Sequence, residues 1–266
     1  ADRAYIYYGG SHIDNTVDVT ITLDQAVDWG FKVSGAGDVN NDGYDDVIIG
    51  VSAYNSSTGR AYILYGGSNM DNVADVVMTG ETANSYFGYS VSGAGDLNND
   101  DYDDIVIGAY GYNANTGRAY VYFGGSSMNN GVDLSFTGEG VSQNFGHSVS
   151  GAGDVNNDGF DDIVVGAYGY NSNYGRAYIY YGGISMDDIP DVYLNGEEMN
   201  TYFGSCVSSA GDLNNDSYDD VIVGADGYTN NPGHAYIFYG SSSMDNLVDV
   251  YLTDGMQGNR FGISVS

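Results

Sequence analysis

Short apolar runs alternate with polar, glycine-rich breaks along the whole chain, and nowhere do apolar positions recur at the three-to-four-residue interval of a helix. Between Gly30 and Phe87 the pattern predicts strands over residues 31–33, 47–51, 60–65 and 75–78, separated by Gly, Asn, Asp and Ser clusters. No short helix is expected in this stretch. The same pattern then recurs. An acidic nonapeptide between the first and second predicted strands reads DVNNDGYDD at 38–46, DLNNDDYDD at 96–104, DVNNDGFDD at 154–162 and DLNNDSYDD at 212–220, each copy starting 58 residues after the last. The third strand reads GRAYILYGG from Gly59, GRAYVYFGG from Gly117, GRAYIYYGG from Gly175 and GHAYIFYGS from Gly233. Four short strands per unit, repeated in register, predict an all-β fold: a β-propeller of four-stranded antiparallel blades. A calcium-loaded β-roll is set aside, because its repeat is only about nine residues long.

Three features of the unit coincide with a known family. A Phe-Gly pair recurs at Phe87-Gly88, Phe145-Gly146, Phe203-Gly204 and Phe261-Gly262. A D-x-N-x-D-x-x-D-D loop follows it, and then a Gly-Ala pair at Gly108-Ala109, Gly166-Ala167 and Gly224-Ala225. In these features the chain resembles the FG-GAP repeat of integrin alpha-subunit β-propellers over its whole length. It departs from the pattern where Trp29 stands for the first Phe, where Gly50-Val51-Ser52 stands for the first Gly-Ala, and where Tyr110, Tyr168 or Asp226 stands for the Pro usual after Gly-Ala. The resemblance implies a propeller with a recognition or adhesion role.

In this frame residues 1–29 form a partial blade, 30–87, 88–145, 146–203 and 204–261 are repeat units, and 262–266 open the next. Such a frame does not close neatly into a ring. It leads to the expectation of a longer propeller, or of chains that assemble edge to edge through open blade edges.

Charge narrows the choice of partner. With six Lys and Arg against 36 Asp and Glu, the net charge of −30 leaves nothing to neutralise phosphates, and nucleic acid is excluded as a partner. No apolar run is longer than a strand, so no membrane span is expected. A single cysteine, Cys206, rules out an intramolecular disulfide.

The acidic loops carry the strongest chemical signal. Ca²⁺ takes about six to eight hard oxygen ligands at roughly 2.3–2.6 Å from a loop able to wrap it. Positions 1, 3, 5 and 9 of each loop supply side-chain oxygens and position 7 a backbone carbonyl. The candidate ligands are Asp38, Asn40, Asp42, Tyr44 and Asp46 in the first loop, and Asp96, Asn98, Asp100, Tyr102 and Asp104 in the second. Asp154, Asn156, Asp158, Phe160 and Asp162 follow in the third, and Asp212, Asn214, Asp216, Tyr218 and Asp220 in the fourth. About four Ca²⁺ are therefore expected, one per loop. No His or Cys lies in the loops, which disfavours zinc and copper. Position 6 is Gly43 or Gly159 in two loops but Asp101 or Ser217 in the others. A sharp turn there favours glycine, so the second and fourth sites are expected to be weaker. Calcium would relieve the repulsion between clustered carboxylates and so act structurally, which suits an extracellular or cell-surface location.

Strand order in an up-and-down blade puts these loops on one face with residues 67–73 and their equivalents. The opposite face carries 54–58, 112–116, 170–174 and the segments 81–86, 139–144 and 197–202, which vary more between units than the strands do. A protein or glycan ligand is expected there. Catalysis is not expected. Ser90 and Ser148 lack the context of a nucleophile elbow, His12, His147 and His234 occupy unrelated positions, and no unrepeated polar cluster is visible. Arg60, Arg118 and Arg176 are expected to make structural ion pairs or hydrogen bonds. The sequence thus points to a calcium-stabilised adhesion or recognition propeller, with a carbohydrate-binding propeller or a filament-forming surface array as alternatives.

Overall fold

A computed structural model describes residues 3–9, 15–22, 30–227, 232–256 and 258–266. Its described residues form four four-stranded sheets, each an antiparallel meander in chain order, and one two-stranded sheet. The first blade comprises Phe31–Gly37, Asp46–Val51, Arg60–Leu64 and Val76–Thr79, and the second Ser90–Gly95, Asp104–Ala109, Arg118–Tyr122 and Leu134–Thr137. The third comprises Ser148–Gly153, Asp162–Ala167, Arg176–Tyr180 and Val192–Asn195, and the fourth Phe203–Gly211, Asp220–Ala225, His234–Phe238 and Val250–Thr253. Arg3–Ile6 pairs with Val19–Thr22 in the two-stranded sheet, which packs on the first blade through Val19 and Ile21. Trp29 and His12 lie outside the described residues.

The core lies between blades. Ile48, Ile63 and Met78 of the first blade pack with Ile105, Ile107 and Tyr120 of the second, and corresponding layers join the second to the third and the third to the fourth. The Phe of each Phe-Gly pair fills this layer. Phe87 is buried, with its ring edge-on to Tyr120 at 5.2 Å, and Phe145 and Phe203 repeat the contact with Tyr178 and Tyr236. The Gly that follows has a different task. Gly88 takes φ +79° so that its carbonyl can press onto Gly50, where a Cβ would lie 2.1 Å from that oxygen. Two glycines are thus needed wherever one blade's second strand meets the next blade's entry.

The first strands of successive blades pack side by side around a central channel of about 700 Å³, into which Lys32, Ser90, Ser148 and Cys206 face. Ser90 and Ser148 link these strands: their hydroxyl oxygens accept the Val149 and Val207 amides at 3.0 Å. That is a structural role for the G-x-S serines. Cys206 stands opposite Gly224 as Ser90 does opposite Gly108.

Two expectations need correction. The first strand runs from Phe31 to Gly37 rather than over 31–33, with a register shift between Gly35 and Gly37. Its Ser-Gly-Ala-Gly half looks like a turn in sequence, but these small residues let neighbouring inner strands approach. The polar turns after the second strand also contain a single helical turn, at Tyr54–Ser57, Tyr112–Asn115 and Tyr170–Asn173. This turn is left-handed: Asn55, Ser56 and Ser57 have φ of 44°, 58° and 58°. Left-handed residues cost about 1–2 kcal/mol each unless held. They are held by the Asn84 and Tyr86 amides, which donate to the Ser56 and Ser57 carbonyls at 3.1 and 2.8 Å. Among the described residues no helix is long and apolar enough to cross a membrane.

Candidate functional site

Each acidic loop folds back on its first residue. In the first loop the Asp38 carboxylate accepts the Asp42 amide on Oδ1 (2.9 Å) and the Gly43 amide on Oδ2 (2.8 Å). Asn40 Oδ1 accepts the same Asp42 amide at 2.9 Å, and Asp42 Oδ1 accepts the Tyr44 amide at 3.0 Å. The side-chain oxygens of positions 1, 3 and 5 are therefore gathered on the inside of the loop. The third and fourth loops repeat this network. Position 6 takes positive φ in every loop, 89° at Gly43, 70° at Asp101, 92° at Gly159 and 76° at Ser217, as the turn requires.

The second loop differs at the side chain of position 3, where Asn98 lacks both the bond to the position-5 amide and the bond to the position-5 carboxylate that its counterparts make. The Asp100 amide donates only to Asp96 Oδ1, at 3.0 Å, and Asn98 Oδ1 is buried with no hydrogen-bond partner. A buried acceptor without a donor is costly, and a hard cation is one group that would satisfy it. No three His, Cys, Asp or Glu side chains converge at metal-binding spacing among the described residues. The groups that could hold a hard cation are thus the mixed carboxylate, amide and carbonyl oxygens of positions 1, 3, 5 and 7.

Position 9 has another partner set. Asp104 is fully buried and uses both oxygens on backbone amides, Oδ2 for Leu97 at 2.9 Å and Oδ1 for Gly124 at 2.8 Å. Asp46, Asp162 and Asp220 clamp their loops to the connection after the third strand in the same way. Burial, opposed by those amides and reinforced by the carboxylates at positions 5 and 1, pushes Asp46, Asp104 and Asp162 up to about 6, 7 and 8. Burial also raises Asp220. A second lone pair on each oxygen keeps ligation open to these residues.

Position 8 joins blades, a role that sequence reasoning missed. Asp103 Oδ2 accepts the Asp38 amide at 2.7 Å, while the Asp103 amide donates to the Asp38 carbonyl at 3.3 Å. Asp161 and Asp219 make the same reciprocal pair with Asp96 and Asp154. Gly95, at φ +70°, makes room for this carboxylate: a Cβ would fall 2.0 Å from Asp161 Oδ2. The first residue of each of these three loops is therefore anchored by the next blade. Asp161→Ala should cost about 1–2 kcal/mol by losing one such bond. Asp45→Ala is its control, because the exposed Asp45 makes no such pair among the described residues; thermal melts of the two variants should separate by several degrees.

The opposite face is built from aromatic and ionic contacts. Arg118 pairs with Glu81 at 2.9 Å and lies 3.9 Å above the Tyr112 ring, and Arg176 pairs with Glu139 at 2.7 Å and lies 3.7 Å above Tyr170. These are the structural ion pairs expected of the repeated arginines. At the mouth of the channel on this face, Tyr86 stacks on Tyr110 at 4.9 Å, and Tyr89, His147, Tyr168 and Tyr202 continue the cluster. His147, Ser205, Asp226 and Arg260 meet beside it, an unrepeated polar cluster that the sequence does not reveal. Its members come from two units, His147 from 146–203 and the others from 204–261, so no local motif signals it. Asp226 and Arg260 form an ion pair.

Burial pushes His147 down to about 4, opposed by its hydrogen bond to the Ser205 carbonyl and by Asp226, while Lys32 adds to the depression. A folded pKa below the unfolded value near 6.5 means that only the unfolded chain takes up this proton over that interval. The contribution of His147 is therefore complete above about pH 6.5 and is lost as pH falls toward 4, to a total of about 3 kcal/mol. The measurement is the difference in unfolding free energy between the parent and His147→Gln across that range. A difference independent of pH would show that His147 is not buried neutral.

The family model described as FG-GAP repeat matches residues 29–64, 87–122, 145–180 and 203–238. Each match starts at or beside the Phe-Gly position and ends with the third strand, so the acidic loop lies inside every one. No curated protein matches the chain. The four matched segments cover more than half of the residues, and the chain belongs to the FG-GAP repeat family.

Proposed function

We propose that this propeller is a calcium-stabilised extracellular recognition and adhesion module, with a Ca²⁺ in each acidic loop and a protein or glycan ligand on the opposite face. The observation that carries the calcium half is the buried, partnerless Asn98 Oδ1 at position 3 of a loop whose other side-chain oxygens also turn inward. The donor set is hard oxygen throughout, which suits Ca²⁺. Bound there, the cation would neutralise part of the carboxylate charge and hold positions 1, 3 and 5 in one arrangement. Because Asp38, Asp96 and Asp154 also bond the next blade, ordering a loop stiffens a blade junction as well.

The recognition half is supported by the opposite face, where held left-handed turns and an unrepeated pocket sit on rigid blades. A catalytic reading lacks support at this pocket. The Ser205 hydroxyl donates to the Gly224 carbonyl at 3.4 Å, and His147 meets the Ser205 backbone carbonyl rather than its hydroxyl.

Calorimetric titration of the chelator-treated chain with Ca²⁺ tests the calcium half. About four sites per chain are expected, the first and third loops filling before the second and fourth because Gly43 and Gly159 accept the positive φ without strain. Absence of calcium binding up to about 10 mM, far above the range of extracellular modules, would overturn it.

A further inference from the structure

We propose that the pocket formed by His147, Tyr168, Tyr202, Ser205, Asp226 and Arg260 binds one terminal sugar residue of a neutral glycan. This rests on the recognition reading above and gives it a ligand class. The pocket encloses about 330 Å³ at the channel mouth opposite the acidic loops. That is the lower end of the roughly 300–1,000 Å³ of small-molecule sites, and it suits one sugar ring rather than a peptide segment.

Its polar groups are arranged in pairs with capacity left over. Arg260 directs both Nε, at 3.1 Å, and Nη2 to the same oxygen of Asp226, Oδ2. Asp226 is buried, and its Oδ1 has no hydrogen bond among the described residues, so it stands as an open acceptor beside the guanidinium donors. His147 donates from Nδ1 to the Ser205 carbonyl at 3.2 Å, which leaves Nε2 with its lone pair. The Tyr168 hydroxyl makes no hydrogen bond with the described residues. Vicinal hydroxyls, each both donor and acceptor, match an adjacent carboxylate oxygen and guanidinium N–H. The Tyr168 ring meets His147 at 4.6 Å and Tyr202 at 5.7 Å, both edge-to-face, and supplies apolar wall for the C–H face of a sugar.

Charge selects a neutral ligand. Asp226 and Arg260 cancel, and the net charge of −30 on the chain repels anions. A cationic ligand would have to displace Arg260 from Asp226. The Asp–Arg pair of this site also occurs in only one of the four repeat units of the sequence. In the other units Ser52, Tyr110 and Tyr168 stand where Asp226 does, and Tyr86, Asn144 and Tyr202 where Arg260 does. At the junction of the first two units Tyr110, at the Asp226 position, instead stacks on Tyr86. A site of this kind differs from equivalent pockets repeated between all blades.

The test titrates the whole chain, in calcium buffer, with methyl α-mannoside, methyl β-galactoside, N-acetylglucosamine and L-fucose, and with N-acetylneuraminic acid and arginine amide as charged comparators. Saturation-transfer NMR and calorimetry should show at least one neutral sugar filling a single site, weakened about tenfold or more by Asp226→Asn and by Tyr168→Phe. Tyr110→Phe should leave that binding unchanged, and melts of the three variants check that each is folded. The proposal is overturned if no neutral sugar binds at about 50 mM, a concentration that would reveal even very weak sites. It is equally overturned if a charged comparator binds better, or if several equal sites ignore Asp226→Asn. Adhesion of cells to the immobilised chain, before and after glycosidase treatment, separates the two readings. Adhesion that survives loss of the glycans keeps the recognition module and removes only the sugar pocket.

Discussion

Asp104→Ala is expected to destabilise the protein by about 4 kcal/mol in calcium-free buffer, because two buried amides lose their acceptor at once and each such loss costs about 1–3 kcal/mol. The donors are the Leu97 amide at the start of the acidic loop and the Gly124 amide after the third strand. The carboxylate between them is fully buried, so water cannot take its place without opening the loop. For a domain of this size the midpoint of thermal unfolding should fall by about 8–16 °C. Asp100→Ala is the matching control. Asp100 is exposed and accepts only the Tyr102 amide at 3.1 Å, so its loss should cost under about 1 kcal/mol without calcium while weakening calcium binding to that loop. Equal costs for the two variants in calcium-free buffer would show that position 9 is not a structural clamp.

The blade architecture was legible because both of its signals are local and repeated. The 58-residue period places the acidic loops, and the Phe-Gly pairs mark each blade entry. Strand ends were less legible where small residues do two jobs. Ser34 to Gly37 has the composition of a turn, yet it forms the inner half of a strand because the neighbouring blade approaches closely there. The left-handed turns were missed for a related reason. Asn55-Ser56-Ser57 reads as an ordinary polar turn, and what holds its backbone is the pair of amides at Asn84 and Tyr86, nearly thirty residues away. Within the loops, alternation identified positions 1, 3 and 5 as inward-facing oxygens. It could not distinguish the blade-joining Asp103 or the clamping Asp104 from further ligands, since their partners, Asp38 and Gly124, are distant in sequence. The pocket at His147, Asp226 and Arg260 lies beyond any motif, because it exists only where the third and fourth units diverge from the repeat.

Removal of calcium should have the largest effect of all. A site with Kd about tenfold below the free calcium concentration adds about 1.4 kcal/mol to folding, and four such sites add about 6 kcal/mol. The effect should be cooperative because of the blade junctions. Asp38, Asp96 and Asp154 each belong to one blade's loop and bond the amide and carboxylate of Asp103, Asp161 and Asp219 in the next, so a disordered loop also loosens its neighbour. Magnesium should substitute poorly, because it demands a tight octahedral shell that these wide, mixed oxygen loops do not impose.

Thermal unfolding of the chain with excess chelator, followed by calcium add-back, tests this most directly. A midpoint lowered by about 10–20 °C on chelation and restored by Ca²⁺ but not by Mg²⁺ is the predicted result. A midpoint unchanged by chelator would contradict it, and would reduce the four acidic loops to turns held by their own amides.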